Sequence, residues 1–446
     1  MNEMDPTRLQ ADPLADGTIA AILGVSDGNP DWLAIAVVNR QIEQWQANGL
    51  LATWKADASV APHIAEALES YVRSAMALPA WADPAKIDRA ETLFIDYGML
   101  SCTLLFCSSL PECYVIPDLA AVLHVAGQLE ERTEYRIRST AAMIFPVMMK
   151  GGLTSASGSG VAQVLKVRLI HATIRHLILR GDPCHAVRLG VVPPLMAAGR
   201  AASMHQALFA RGWDIPKDGV PCSQEELGYT LLTFGYVFLR SLRKLGLGLS
   251  HADEEAYLHT WNVMGHVLGI ERALMPDTMA QAEAMFDKIQ ARGRAEPFEP
   301  DPRPALGRDL MRTMEAVIPM RAIRPFPTLL TRYLCGKTTA TDIGIAGRVA
   351  WYSRWLFALF MLVVRAIDTV MRLFIPGFAI SRLVTRIVGY QFMAKVLMDQ
   401  TRPLKLPPQL LGGVDAMTNS WQADPKAPKW MNALEKRLTG RKEAQA

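Results

Sequence analysis

Two histidines and three arginines interrupt an otherwise apolar stretch, KVRLIHATIRHLILRG, from Lys166 to Gly181. Ionisable side chains are costly to bury unless something pairs with them. On a helix of about 100° per residue, Arg168, His171 and Arg175 fall within about 60° of one another, and His176 is turned off that face by about 100°. A lone histidine in a helix is most often an ordinary core or surface residue. Two flanking arginines weaken that reading, because they call for an anion and the acidic residues lie mostly elsewhere in the chain. Haem would serve all three residues, with an imidazole for iron, guanidinium groups for the propionates and an apolar face for the macrocycle. A di-iron carboxylate site needs paired Glu-x-x-His motifs, and the sequence has none. His171 and His176 are five positions apart rather than four, which excludes the H-E-x-x-H zinc motif.

Two further constellations carry ionisable groups. In EAYLHTWNVMGHVLGIE, His259 and His266 are seven apart and nearly eclipsed on a helix. In RTEYRIRSTAAMIF, Arg132, Arg136 and Arg138 precede Thr140.

The elements that must position these residues are helices. DWLAIAVVNRQIEQWQANG begins at a capping Asp31 and stops at Gly49. Similar periodicity predicts helices near 60–77, 87–108, 117–128, 132–149, 161–180, 188–211, 224–245, 252–270, 276–292, 306–322 and 349–375. SSLPECYVIPD, GGLTSASGSG, RGDPCH, GWDIPKDGVPCS and EPFEPDPRPALG read as breakers between them. Alternating strand patterns and internal repeats are absent. The expected fold is therefore all-α, a helical bundle. It divides into an N-terminal helical arm (1–59), a main domain (60–345) and a C-terminal helical extension (346–446).

Composition narrows the function classes. A formal charge of +4 on 446 residues is too mild to imply nucleic acid. Six cysteines show no C-x-x-C, no paired zinc spacing and no C-x-x-C-H, so they read as reduced thiols of an intracellular protein. The polar, acidic start MNEMDPTRLQADPLADG has no signal-peptide pattern, and a cytoplasmic location is expected. In the extension, WLFALFMLVV (355–364) is ten apolar residues, too few for the roughly 20 that span a bilayer. Arg354, Arg365, Asp368 and Arg372 fall on a narrow stripe of that helix, which suits either peripheral membrane contact through 349–390 or a core helix with one wet edge.

The chain resembles the family of latex clearing protein (rubber oxygenase) and the MpaB-type oxygenases. The resemblance covers about 90–345 and rests on SSLPECYVIPD, on RLIHATIRH as an R-x-x-H-x-x-x-R-H element, on His259 and His266, and on LLTRYLCG with Arg332. It implies a non-covalent b-type haem (heme b) in a globin-like helical core, with His171 as the iron ligand. Arg168, Arg175, His176, His259, His266 and Arg332 match other motif positions, for which propionate contacts or hydrogen bonds that orient the ligand are expected. The family's distal R-x-x-K-T spacing is met by Arg136 and Thr140, but Ser139 stands where the lysine would be, and Arg138 offers a competing alignment. A lysine-ligated state is therefore not expected, and no distal acid can be placed.

Three functions follow as expectations. The first is a haem-dependent oxygenase that uses O2 as co-substrate on a hydrophobic, isoprenoid-like small molecule, with Arg136 or Thr140 polarising the bound oxygen. The second is a haem-binding sensor or carrier without turnover. The third is a membrane-bound helical scaffold with no cofactor.

Overall fold

The computed structural model describes residues 4–24, 30–128, 133–195, 203–296, 298–316 and 318–374. The secondary structure within them is helical apart from one antiparallel pair, Val191–Val192 with Trp213–Asp214. The all-α expectation holds.

Local chemistry starts the helices in a repeated way. Asp12, Asp83 and Asp182 each precede a proline, and each carboxylate accepts a hydrogen bond from a backbone N–H of the first turn. The aspartate satisfies a donor that the helix cannot, while the proline occupies a position whose N–H would be unpaired anyway. One of these helices, Pro13–Leu23, lies in the acidic start of the chain, where no helix was predicted.

Three expectations on local structure change. The helix expected over 87–108 turns by 90° between Pro84–Tyr97 and Leu100–Cys113. Gly98 sits at the corner with a φ of +47°, a conformation that favours glycine. The stretch SSLPECYVIPD breaks the helix only at Tyr114–Ile116, and it does so inside the core. Leu105–Ser109 forms a π-helical turn, Leu110–Cys113 continues as helix, and all of these residues are buried. The helix expected over 188–211 ends at Leu189, where Gly190 turns the chain into the short strand, and helix resumes over Met204–Ala210.

Buried apolar side chains form two clusters. The larger contains Leu68, Phe94, Phe238, Tyr257 and Trp261, and the smaller contains Ile35, Val122, Leu208, Phe209 and Trp213. The helix Gly160–Leu179 crosses from one to the other: Val164, Leu165, Leu169 and Ala172 belong to the larger cluster, and Leu177, Ile178 and Leu179 to the smaller. The arginine–histidine stretch therefore lies where the two clusters meet. Its C-terminus is pinned by Arg180, which takes the left-handed conformation (φ +55°) and donates to Phe209 O (3.1 Å) and Pro193 O (2.6 Å).

A polar junction centred on Glu112 joins other helices of the body. The buried Glu112 carboxylate accepts from Arg240 (2.5 Å), Gln290 (2.7 Å) and Thr339 (3.1 Å), so one side chain ties four helices together. Among the described residues, no single helix is long and apolar enough to cross a membrane.

Removing one member of a buried ion pair strands the other and costs about 3–5 kcal/mol. Glu112→Ala is therefore expected to lose stability on that scale in urea denaturation, and Glu112→Gln, which keeps an acceptor for Gln290 or Thr339, to lose less. Equal losses would show that the charge on Arg240 does not need this partner.

Candidate functional site

The geometry of the Gly160–Leu179 helix answers what its cations face. Arg168 donates from Nε to Asp12 Oδ2 (2.5 Å), from Nη2 to Asp12 Oδ1 (2.8 Å) and from Nη1 to Val267 O (3.1 Å). Arg175 donates from Nε to Asp16 Oδ1 (2.8 Å), with Nη2 at 2.7 Å from the same oxygen, and from Nη1 to Cys222 O (2.7 Å). Both acids sit at the start of the Pro13–Leu23 helix, and Asp16 also accepts from the Asp12 backbone N–H (3.0 Å). Two buried arginines are thus matched one to one by two buried aspartates. The partners of Arg168 and Arg175 among the described residues are thus protein carboxylates and backbone carbonyls.

The arm that supplies these acids is stitched to the body by further bonds. Val220 and Gln224 donate backbone N–H groups to Arg8 O (2.8 Å) and Gln10 O (3.0 Å). Gln224 Nε2 bridges Ala11 O (2.8 Å) and Gly269 O (2.9 Å). Gly269 has a φ of +89°, and a Cβ there would lie 2.5 Å from Asp12 Oδ2 and 2.7 Å from Arg168 Nε. Only glycine lets the backbone come this close to the ion pair.

Between the arginines lies His171. Burial, then the neighbouring Arg175 charge, lowers its pKa to about 4, with Asp12 opposing. The ring is therefore neutral at pH 7 and keeps a lone pair, as a metal ligand must. Its Nδ1 is buried without a hydrogen-bond partner. His176 shares these features: burial lowers its pKa to about 4 and its Nε2 is buried and unpaired. The two differ in access, since His176 is buried and His171 is half-buried. Thr140 is half-buried on the Thr133–Met148 helix, which packs along the histidine helix. The Arg136 side chain lies outside the described residues.

The other expected residues take different positions. His259 Nε2 accepts the Asp83 backbone N–H (2.8 Å), so it supports the start of the Pro84–Tyr97 helix. His266 is exposed. Both rings meet the edge of Trp81, at 5.6 and 6.1 Å between centroids, and Arg272 stacks over the same indole at 5.1 Å. Arg332 donates to Ile345 O and to Gly347 O (2.6 Å) and so holds the chain just before the Trp351–Phe374 helix. His259 and Arg332 thus each bond to backbone groups.

Residues 114–366 match the family described as "ER-bound oxygenase mpaB/B'/Rubber oxygenase, catalytic domain". The chain belongs to this family. A curated relative, the rubber oxygenase of Streptomyces sp. (strain K30), is 24% identical over 342 residues, which is 75% of this chain and 70% of the relative. The fold is similar to that of latex clearing protein in its closed state, with a TM-score of 0.59 at 18% identity, over 94% of this chain and 92% of the other. This protein is therefore an oxygenase, and the reading as a carrier or scaffold without turnover falls away. Asp12 and Asp16 lie outside the matched residues 114–366. The ion pairs of its histidine helix thus draw their acidic half from outside the family's catalytic region.

Asp12→Ala is expected to lose about 3–5 kcal/mol of stability in urea, because Arg168 remains buried and unpaired. Arg168→Met in the same chain should recover most of that loss. Additive losses in the double variant would mean that the pair is not coupled.

The two neutral histidines also set a pH dependence. A buried group whose pKa falls from 6.5 to about 4 stabilises the fold fully above 6.5, and the contribution is lost as pH falls through about 4. For His176 the limit is about 3 kcal/mol, at 1.36 kcal/mol per unit. The advantage of the wild type over His176→Gln should shrink by up to this amount between pH 7 and 4, measured by denaturation at each pH. Parallel stability curves for the two proteins would contradict it.

Proposed function

We propose that this oxygenase works with a non-covalently held haem b bound through His171, with O2 as co-substrate and an apolar, isoprenoid-like small molecule as substrate. The observation that carries this reading is a neutral imidazole on a half-buried residue, its Nδ1 buried and unpaired, held between two guanidinium–carboxylate pairs where two apolar clusters meet. Family membership supports it, and the Streptomyces relative is itself named a rubber oxygenase.

The residues suit the group in part. His171 supplies the donor, and the apolar neighbours of the helix supply dry surroundings. Arg168, Arg175 and Arg332 are engaged elsewhere, so propionates would be met by other groups. The haem, when bound, supplies the oxygen chemistry.

The protein's own part is orientation and exclusion. Arg168 and Arg175, three residues before and four after His171, lock the helix in rotation and translation against Pro13–Leu23, so the imidazole has one direction. Burial, assisted by the Arg175 charge, keeps a proton off the ring. Thr140 lies on the helix packed alongside the histidine helix.

Protein purified from haem-replete cells is expected to show a Soret band, with about one haem per chain by the pyridine haemochrome assay. His171→Ala should lose that band with helicity by circular dichroism retained, whereas His176→Ala should keep the band and lose stability. Oxygen uptake should rise on adding a prenyl lipid. Wild-type protein that is active without haem, or unchanged haem content in His171→Ala, would reject the assignment.

A further inference from the structure

We propose that the exposed apolar arc of the Trp351–Phe374 helix docks on the surface of an anionic lipid bilayer, placing this oxygenase at the interface without crossing it. Seven large side chains on that helix are exposed, among them Trp351 (73%), Trp355 (71%) and Leu362 (66%), with Tyr352, Leu356, Leu359 and Val363. At about 100° per residue, all seven fall within one continuous arc of about 140°. The opposite side is the one that packs. Phe357 and Phe360 meet Phe326 at 5.4 and 6.0 Å between ring centroids, and Ser353 is buried. A core helix with one wet edge would bury its tryptophans and expose its polar side. Here both tryptophans are exposed.

The helix is fixed with the arc outward. Arg365 donates to Lys244 O (2.5 Å) and Tyr333 Oη (2.6 Å), and Arg332 holds the chain at Ile345 and Gly347 just before the helix. The apolar part, Trp351–Val363, is 13 residues, or about 20 Å of helix. A hydrocarbon core is about 30 Å thick, so this segment lies in an interface rather than across it. Tryptophan is enriched at that depth because its ring is apolar and its N–H polar.

Charge selects the occupant. Residues 346–446 contain 15 Lys and Arg against 6 Asp and Glu, a net +9, which leaves −5 on the remainder of a chain that totals +4. Arg348 and Arg354 are exposed beside the arc, and Met320, Arg321 and Arg324 are exposed in the segment leading to Phe326, the residue on which the helix packs. A second copy would bring the same positive charge, and residues 375–446 are themselves basic, with 11 Lys and Arg against 5 Asp and Glu. Both are repelled where an anionic lipid surface is attracted.

The test is co-sedimentation of the full chain with vesicles of phosphatidylcholine alone or with phosphatidylglycerol added. Binding is expected to the anionic vesicles, to weaken in high salt, and to fall by at least about tenfold in the variant Trp351→Ser/Trp355→Ser/Leu362→Ser. All three residues are exposed, so the variant should keep its circular dichroism spectrum and its Soret band. Full-length protein that does not sediment, or a variant that sediments equally, would overturn the proposal. Concentration-dependent dimers abolished by the same variant would assign the arc to a second copy. Faster hydrogen exchange in residues 375–446 of the variant, without vesicle binding by the wild type, would assign it to the chain's own tail.

Discussion

Two buried guanidinium–carboxylate pairs, Asp12–Arg168 and Asp16–Arg175, constrain the rest of this structure. A buried charge is tolerated only with a partner in good geometry and with its remaining donors satisfied. Here the third group of bonds goes to the carbonyls of Val267 and Cys222, so both arginines bind one carboxylate and the backbone beyond it. Burial is severe enough that the Asp16 pKa is raised to about 6, even though Arg175 opposes the shift. The pairs thus contribute less as a source of stability than as a specification of place. The Pro13–Leu23 helix can slide neither along nor around the histidine helix without stranding a charge. Gly269 is required by the same constraint, since any side chain there would collide with the first pair.

Much of the local structure was legible because its causes are local. The histidine helix begins after a Gly/Ser loop and ends at Arg180–Gly181, as periodicity and glycine placement indicate. Asp31 caps its helix as expected. What periodicity could not show is which acid meets which arginine. Asp12 and Arg168 are 156 residues apart, and Asp16 and Arg175 are 159 apart. The available signal was the Asp-Pro start of ADPLADG, which has the form of a helix cap with a second acid one turn on. The same limit applies to His259 and His266. Their spacing of seven correctly put them on one face, but Trp81, which joins them, lies far away in sequence. Gly98 and Gly190 were misread for the opposite reason. Apolar residues continue through both, and the change of direction depends on a backbone conformation that composition does not reveal.

The position of the site follows from the division of the core. A single apolar cluster has no tolerance for two arginines and two imidazoles. Where two clusters abut, the helix passing between them has a stretch whose neighbours come from different elements, and polar contacts can be assembled there from distant parts of the chain. Arg175 is fully buried yet touches the N-terminal helix and the 221–222 turn. The Glu112 junction uses the same device, with Arg240, Gln290 and Thr339 each drawn from a different helix. In both cases polar specificity is concentrated at junctions between helices.

This arrangement also resolves an apparent conflict in placing two arginines beside a neutral histidine. A nearby carboxylate in direct contact would favour the imidazolium form and occupy the lone pair. A nearby arginine does the reverse, disfavouring the charged ring, but an arginine left unpaired in the core would be prohibitively costly. Pairing each arginine with an aspartate outside hydrogen-bond contact with His171 meets both demands. The guanidinium charge is compensated, and its residual field still acts with burial to hold the His171 pKa near 4. Asp12 opposes this only as the smallest of the three influences. The acids therefore stabilise the arginines, and the arginines together with burial keep the imidazole neutral. The outcome is a neutral imidazole on a helix that two ion pairs hold in place.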